Sequence, residues 1–188
     1  MKYLCVFLMV FTAVVLVSTA SAQRAIPAAK IDKLFVELKS AVSHDETRRV
    51  EQKLWDSWNV DSTNARAREL MWLGIISMEQ NELDSAVLMF DGVIENDPDW
   101  PEGWNKRATI NFFLGEYESS IRDIKETLVR EPRHFGALTG MAHIFTAMED
   151  DESAMLFFRR ALSYHPYMKD ARVVLQVLES RRKTHQDK

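Results

Sequence analysis

The side chains that could carry out chemistry are five histidines, scattered carboxylates and a single cysteine. His134 and His143 are nine residues apart, with no third ligand at a spacing that would close a zinc site. The run Glu149-Asp150-Asp151-Glu152 has the composition of a cation site. It falls at an expected helix start, where acidic side chains favour the exposed backbone N–H groups and are solvated. There is no H-E-x-x-H, no G-x-S-x-G and no phosphate loop. Cys5 lies in a segment expected to be removed, so the mature chain would carry no thiol nucleophile and no thiolate ligand. These residues point to no enzyme, no cofactor and no metal site. A small metal-binding enzyme built from dispersed histidines and carboxylates is an alternative that nothing in the sequence supports. Two polar residues invite a recognition role instead. Asn105 can both donate and accept, which suits the backbone of an extended peptide. Arg107 falls where neighbouring repeats carry Leu73 and Met141, so its charge needs a partner on an adjacent helix, with Asp123 as the candidate and an anion site as the functional alternative.

The amino terminus reads as a targeting signal. Met1-Lys2 is a short basic start, and Tyr3 to Val17 is an apolar run shorter than the roughly 20 residues of a bilayer span. Ala20-Ser21-Ala22 supplies a small-residue cleavage pattern, so cleavage is expected after Ala22 with Gln23 first in the mature protein. That places the chain in the periplasm or outside the cell. Loss of Lys2 takes the formal net charge from −4 to −5. With both signs interspersed, there is no basic footprint for nucleic acid. No second apolar run follows Val17, so no membrane span is expected after cleavage.

The elements that must position these residues announce themselves by a period. Pro98, Pro132 and Pro166 stand 34 residues apart, and small and large residues return at matching offsets before each. With each proline as position 32, position 8 is Gly74, Ala108 and Ala142, and position 20 is Ala86, Ser120 and Ala154. Position 24 is Phe90, Ile124 and Phe158. Small residues at 8 and 20 let two antiparallel helices approach, and large residues at 24 fill the space between hairpins. Proline cannot continue a helix and pushes its predecessor out of the α region, so it ends each second helix. Asn81 and Gly115 tolerate positive φ after the first helix of a repeat. The period is that of stacked helical hairpins.

The units run 67–100, 101–134 and 135–168, preceded by a signal peptide (1–22), a flexible stretch (23–30) and a degenerate helical hairpin (31–64). A capping helix (169–182) and a disordered tail (183–188) follow. Ile31, Leu34, Phe35, Leu38 and Val42 mark one helix of the amino-terminal hairpin, and Val50, Leu54, Trp55 and Trp58 the other. That hairpin is expected to cap the array as a degenerate first repeat. Ala171, Val174, Leu175 and Leu178 are expected to cover its far end.

With Trp104, Ala108, Gly115, Tyr117 and Pro132 in the second unit, and Leu73, Gly74, Ala86, Phe90 and Pro98 in the first, the chain resembles the tetratricopeptide repeat (TPR) family. Ala142, Ala154, Phe158, Ala161 and Pro166 carry the resemblance through the third unit. Segments such as Trp104 to Thr109 look like those of exported repeat proteins of Gram-negative bacteria. The resemblance implies an all-α fold, a right-handed superhelical solenoid of antiparallel hairpins whose first helices line a concave groove. It places positions 5, 9 and 12 on that groove, here Met71, Ile75, Met78, Asn105, Thr109, Phe112, Thr139 and His143, with Thr146 completing the third repeat. Met71, Ile75 and Phe112 could equally be covered by neighbouring helices. The carboxylate clamp that some members use for peptide C-termini is absent, because its positions hold Met71, Ile75, Lys106, Gly136 and Gly140. The expected role is a scaffold that binds a protein or peptide as an adaptor or assembly factor. A structural subunit of an oligomer is the alternative.

Overall fold

The computed structural model describes Ile26 and residues 28–186. The expected signal peptide lies outside the described residues, which form nine α-helices and no strand. They are α1 (Ala28–Ser40), α2 (His44–Asn59), α3 (Ala65–Glu79), α4 (Leu83–Asn96), α5 (Pro101–Phe113), α6 (Tyr117–Arg130), α7 (Phe135–Ala147), α8 (Asp151–Tyr164) and α9 (Lys169–Gln186). Helices α3/α4, α5/α6 and α7/α8 are the three repeat hairpins, and α4 on α5, α6 on α7 and α8 on α9 stack them in series. This is the helical solenoid that the period predicts.

Each second helix ends two residues before its proline, at Asn96, Arg130 and Tyr164. Inside each hairpin the turn residue has positive φ, 60° at Asn81, 78° at Gly115 and 60° at Glu149. Glu82 N–H donates to Ser77 O, Glu116 N–H to Asn111 O and Asp150 N–H to Phe145 O, so each first helix closes with the same reverse loop. At the close approach of α5 and α6, Ser120 Oγ donates to Ala108 O at 2.7 Å, joining positions 20 and 8. In the first repeat, a Cβ on Gly74 would lie 2.6 Å from the Phe90 ring, so glycine there makes room for the large residue at position 24.

The ends depart from expectation in two ways. Helix α9 buries Ala171, Leu175 and Leu178 against Ala154, Met155 and Phe158, but it continues to Gln186 through residues 183–186, expected as tail. Likewise α1 begins at Ala28, inside the stretch expected to be flexible. The larger difference is the place of the α1–α2 hairpin. It does not stack on α3; beyond α1, α2 meets α5. Its core of Ile31, Leu34, Phe35, Leu38, Val50, Leu54 and Trp58 closes on Phe135, with Tyr164 and Met168 at the margin. The hairpin therefore lies along the edge made by the turns between repeats. The linker explains the direction. Ser62 Oγ bonds Asp97, and Asn64 Nδ2 donates to Asn96 O at 2.8 Å, which pins the chain to the turn between α4 and α5. From there α2 can run back only across the starts of α5 and α7.

Candidate interaction surface

The first turns of α5 and α7 carry a buried polar cluster. Glu102 and His134 are both fully buried, and Glu102 Oε2 lies 2.9 Å from His134 Nε2. Lys106 Nζ is 3.1 Å from the other carboxylate oxygen, and Asn105 Nδ2 donates to the same carboxylate at 3.2–3.3 Å. His134 Nδ1 accepts from Ala137 N–H at 3.1 Å, capping α7, so the proton facing Glu102 is on Nε2. Burial pushes the Glu102 carboxyl up, but the His134 hydrogen bond and the Lys106 charge outweigh it and hold it below the usual carboxylate range. A buried carboxylate with this many donors is satisfied without further ligands.

Helix α2 roofs this cluster with two tryptophans. Trp58 stacks on His134 at 4.1 Å between centroids, with 22° between planes. Trp55 meets Trp58, His134 and Phe135 edge-on at 5.3, 5.6 and 5.2 Å. Its ring fills the space left by Gly136, where a Cβ would lie 2.5 Å from Trp55 Cη2. Trp100 Nε1 donates to the Trp58 carbonyl at 2.7 Å and so helps to end α2. At the rim, Arg133 pairs with Asp32 at 2.7 Å and Tyr167 Oη donates to Ala41 O at 2.8 Å. The fit is imperfect: Trp58 Nε1, Asn59 Oδ1 and both ring nitrogens of His165 are buried without a hydrogen-bond partner. His165 Nε2 nevertheless lies 3.3 Å from Glu51 Oε2, and this contact holds the Glu51 carboxyl below its ordinary range.

The expected groove residues divide accordingly. Met71 is in the core of the first repeat at 2% exposure, and Asn105 is 8% exposed with its amide committed to Glu102. Neither presents a polar or apolar face to an incoming chain: Met71 is covered by the packing of its own hairpin, and Asn105 lies within the buried cluster. Ile75 and Met78 are half-buried against that same core. Thr109 Oγ1 donates to Asn105 O and Thr139 Oγ1 to Phe135 O, so both hydroxyls are turned back on their own helices. Phe112 is half-buried, in ring contact with Phe113 and Tyr117. His143 is exposed, edge-on to Phe158 at 5.2 Å, and desolvation by its neighbours lowers its pKa against the opposing pull of Asp170. Large apolar side chains also stand open beside the predicted positions: Trp72, one turn before Ile75, at 63% and Phe113, beside Phe112, at 64%.

Arg107 is paired as its position requires. Its Nε and Nη2 make a two-pronged contact with Asp123 at 2.9 and 2.7 Å, and Nη1 reaches Asp91 at 2.6 Å. The Asp123 hydrogen bonds, more than any other contact, raise its already high pKa. The guanidinium thus ties α4, α5 and α6 together, with each of its three nitrogens bonded to a carboxylate of the protein. The Glu102 cluster is nearly silent in the sequence. Its only sequence sign is the run Glu102, Asn105, Lys106 at helical spacing, with His134 one near-repeat further on. Among the described residues no group of three or more histidine, cysteine or carboxylate side chains is placed to hold a metal ion. No helix among them is long and apolar enough to cross a membrane.

No family model matches the chain. A TPR repeat-containing protein of Rhizobium etli is 34% identical over 152 residues, spanning 81% of this chain and 74% of the relative. Among solved structures, the first TPR domain of Spaghetti (RPAP3), bound to an HSP90 peptide, superposes with a TM-score of 0.62 at 19% identity, over 64% of this chain and 95% of that one. A crystal structure of MamA gives 0.60 at 13% identity, over 76% and 86%. These two likenesses speak for the fold. With the Rhizobium relative and the three 34-residue hairpins, they lead to one conclusion: the chain belongs to the tetratricopeptide repeat family.

Proposed function

We propose that this protein binds a protein or peptide segment on the open part of its first-helix face, and acts as a non-enzymatic adaptor or assembly factor. Tetratricopeptide repeat domains generally mediate protein or peptide binding. The observation that carries the reading here is the row of uncovered apolar side chains on α3 and α5, Trp72 and Phe113 with Ile75, Met78 and Phe112 beside them. His143 and Thr139 extend the row as a polar margin on α7. Such a surface favours an apolar segment over an acidic C-terminus, since the clamp cations are missing. The export pattern at Ala20-Ser21-Ala22 supports a periplasmic or secreted location for this activity.

The test pairs the wild-type chain with a Trp72→Ser, Phe113→Ser variant in pull-downs from an envelope extract. Both residues are exposed, so the variant is expected to keep its melting temperature and lose the partner. Equal recovery by both proteins would remove the binding surface from this face. Mass measurement of the native protein after cell fractionation tests export, which requires a periplasmic or secreted chain beginning at Gln23.

A further inference from the structure

The surface under α2 is shaped for a helix independently of the open face. Gly136 leaves a slot for one indole, and His134 offers a ring for a second to stack on. Trp100 Nε1 donates to a carbonyl in the last turn. The floor does not depend on the roof, because among the described residues the Glu102 carboxylate is held by Asn105 and Lys106 of α5 and by His134. Nor does the array: the stacking of α3 to α9 passes through α4 on α5, α6 on α7 and α8 on α9. The resident helix, by contrast, leaves Trp58 Nε1 and Asn59 Oδ1 buried without partners. The hairpin also joins the array covalently through a single linker, residues 60–64.

We propose that this is an exchangeable helix-binding site. The α1–α2 hairpin occupies it in the resting chain, and a partner's amphipathic helix with two aromatic residues three apart replaces α2 on it. The pattern to be matched is that of Trp55 and Trp58, with the backbone carbonyl of the second aromatic residue at the helix end, where it can accept from Trp100 Nε1. A partner that also supplies an acceptor for its own indole N–H satisfies what the resident leaves unpaired. The inference concerns a different surface from the open face and stands or falls separately from it.

The experiment uses the whole chain and a synthetic peptide of residues 44–59, with a control peptide in which both tryptophans are alanine. Hydrogen exchange should show residues 28–59 opening together and ahead of α5–α8. Excess wild-type peptide should speed exchange in 28–59 alone, and the control peptide should not. In a Trp55→Ala, Trp58→Ala chain, a labelled peptide should bind about tenfold tighter or more, because an occupied site binds its ligand only in the fraction of molecules that are open. Exchange of 28–59 in step with α5–α8, unmoved by peptide, overturns the proposal, and so does an equal effect of both peptides. If the double variant does not fold, exchange on the wild-type chain decides alone.

Discussion

Gly136→Ala tests how α2 is seated. The new Cβ would lie 2.5 Å from Cη2 and 3.3 Å from Cζ2 of Trp55. Non-bonded carbons rest at about 3.5–4.0 Å, so the ring has to retreat by about 1 Å. Trp58, His134 and Phe135 stand 5.3, 5.6 and 5.2 Å from it, centroid to centroid, and block a small adjustment. Overpacking of this kind costs about 1–3 kcal/mol. Replacing glycine in a helix returns at most about 1 kcal/mol, and less in a first turn. The expected result is a loss of about 1–2 kcal/mol, read from urea unfolding followed by far-UV circular dichroism, so that the changed tryptophan does not confound the signal. The same substitution in a Trp55→Ala background should be neutral or stabilising, because the obstructing ring is gone. Equal destabilisation in both backgrounds would refute the docking of α2 on α7, since the coupling would then be zero.

Three further outcomes follow from the same contacts. Asp123→Ala removes two of the three prongs that hold Arg107; with Asp91 remaining and the guanidinium side chain 23% exposed, the loss should be about 2 kcal/mol, and Arg107→Met in that background should recover most of it. Glu149→Gly should stabilise by about 0.5–1 kcal/mol, because φ at this position is 60° and only glycine adopts it freely; a thermal melt that falls would contradict this. The Glu102 carboxyl is held below its ordinary value, so its contribution is fully present above the unfolded value of 4.5 and is lost as pH falls through the depressed folded value. Between about pH 6 and pH 3, wild type should therefore lose more stability than Glu102→Gln, and parallel profiles would show that the cluster does not depend on the charge.

The repeat was legible because its causes are local and recur. A proline at every 34th residue ends a helix through its own ring, and small residues at positions 8 and 20 are required wherever two backbones approach. Asn81 and Gly115 identified two of the turns by the same logic, and the third, at Glu149, falls at the same offset, although its positive φ is imposed by the closing loop and not preferred by the residue. The Arg107–Asp123 pair was also within reach, because a charge among apolar equivalents demands a partner at one helix's distance.

The groove residues were harder, because burial belongs to the space between helices. Position 5 of the first two repeats holds Met71 and Asn105, and nothing in either side chain reveals that one joins the core and the other a buried carboxylate. The amino-terminal hairpin shows the division most clearly. Its sequence determined that it forms two amphipathic helices, through the spacing of Ile31, Leu34, Phe35 and Leu38 and of Val50, Leu54 and Trp58. An apolar face must be covered, but its period says nothing about what covers it. Only the tertiary structure decided that, because the anchoring of Ser62 and Asn64 sets the direction of the chain and Gly136, His134 and Trp100 shape the one surface that receives two tryptophans.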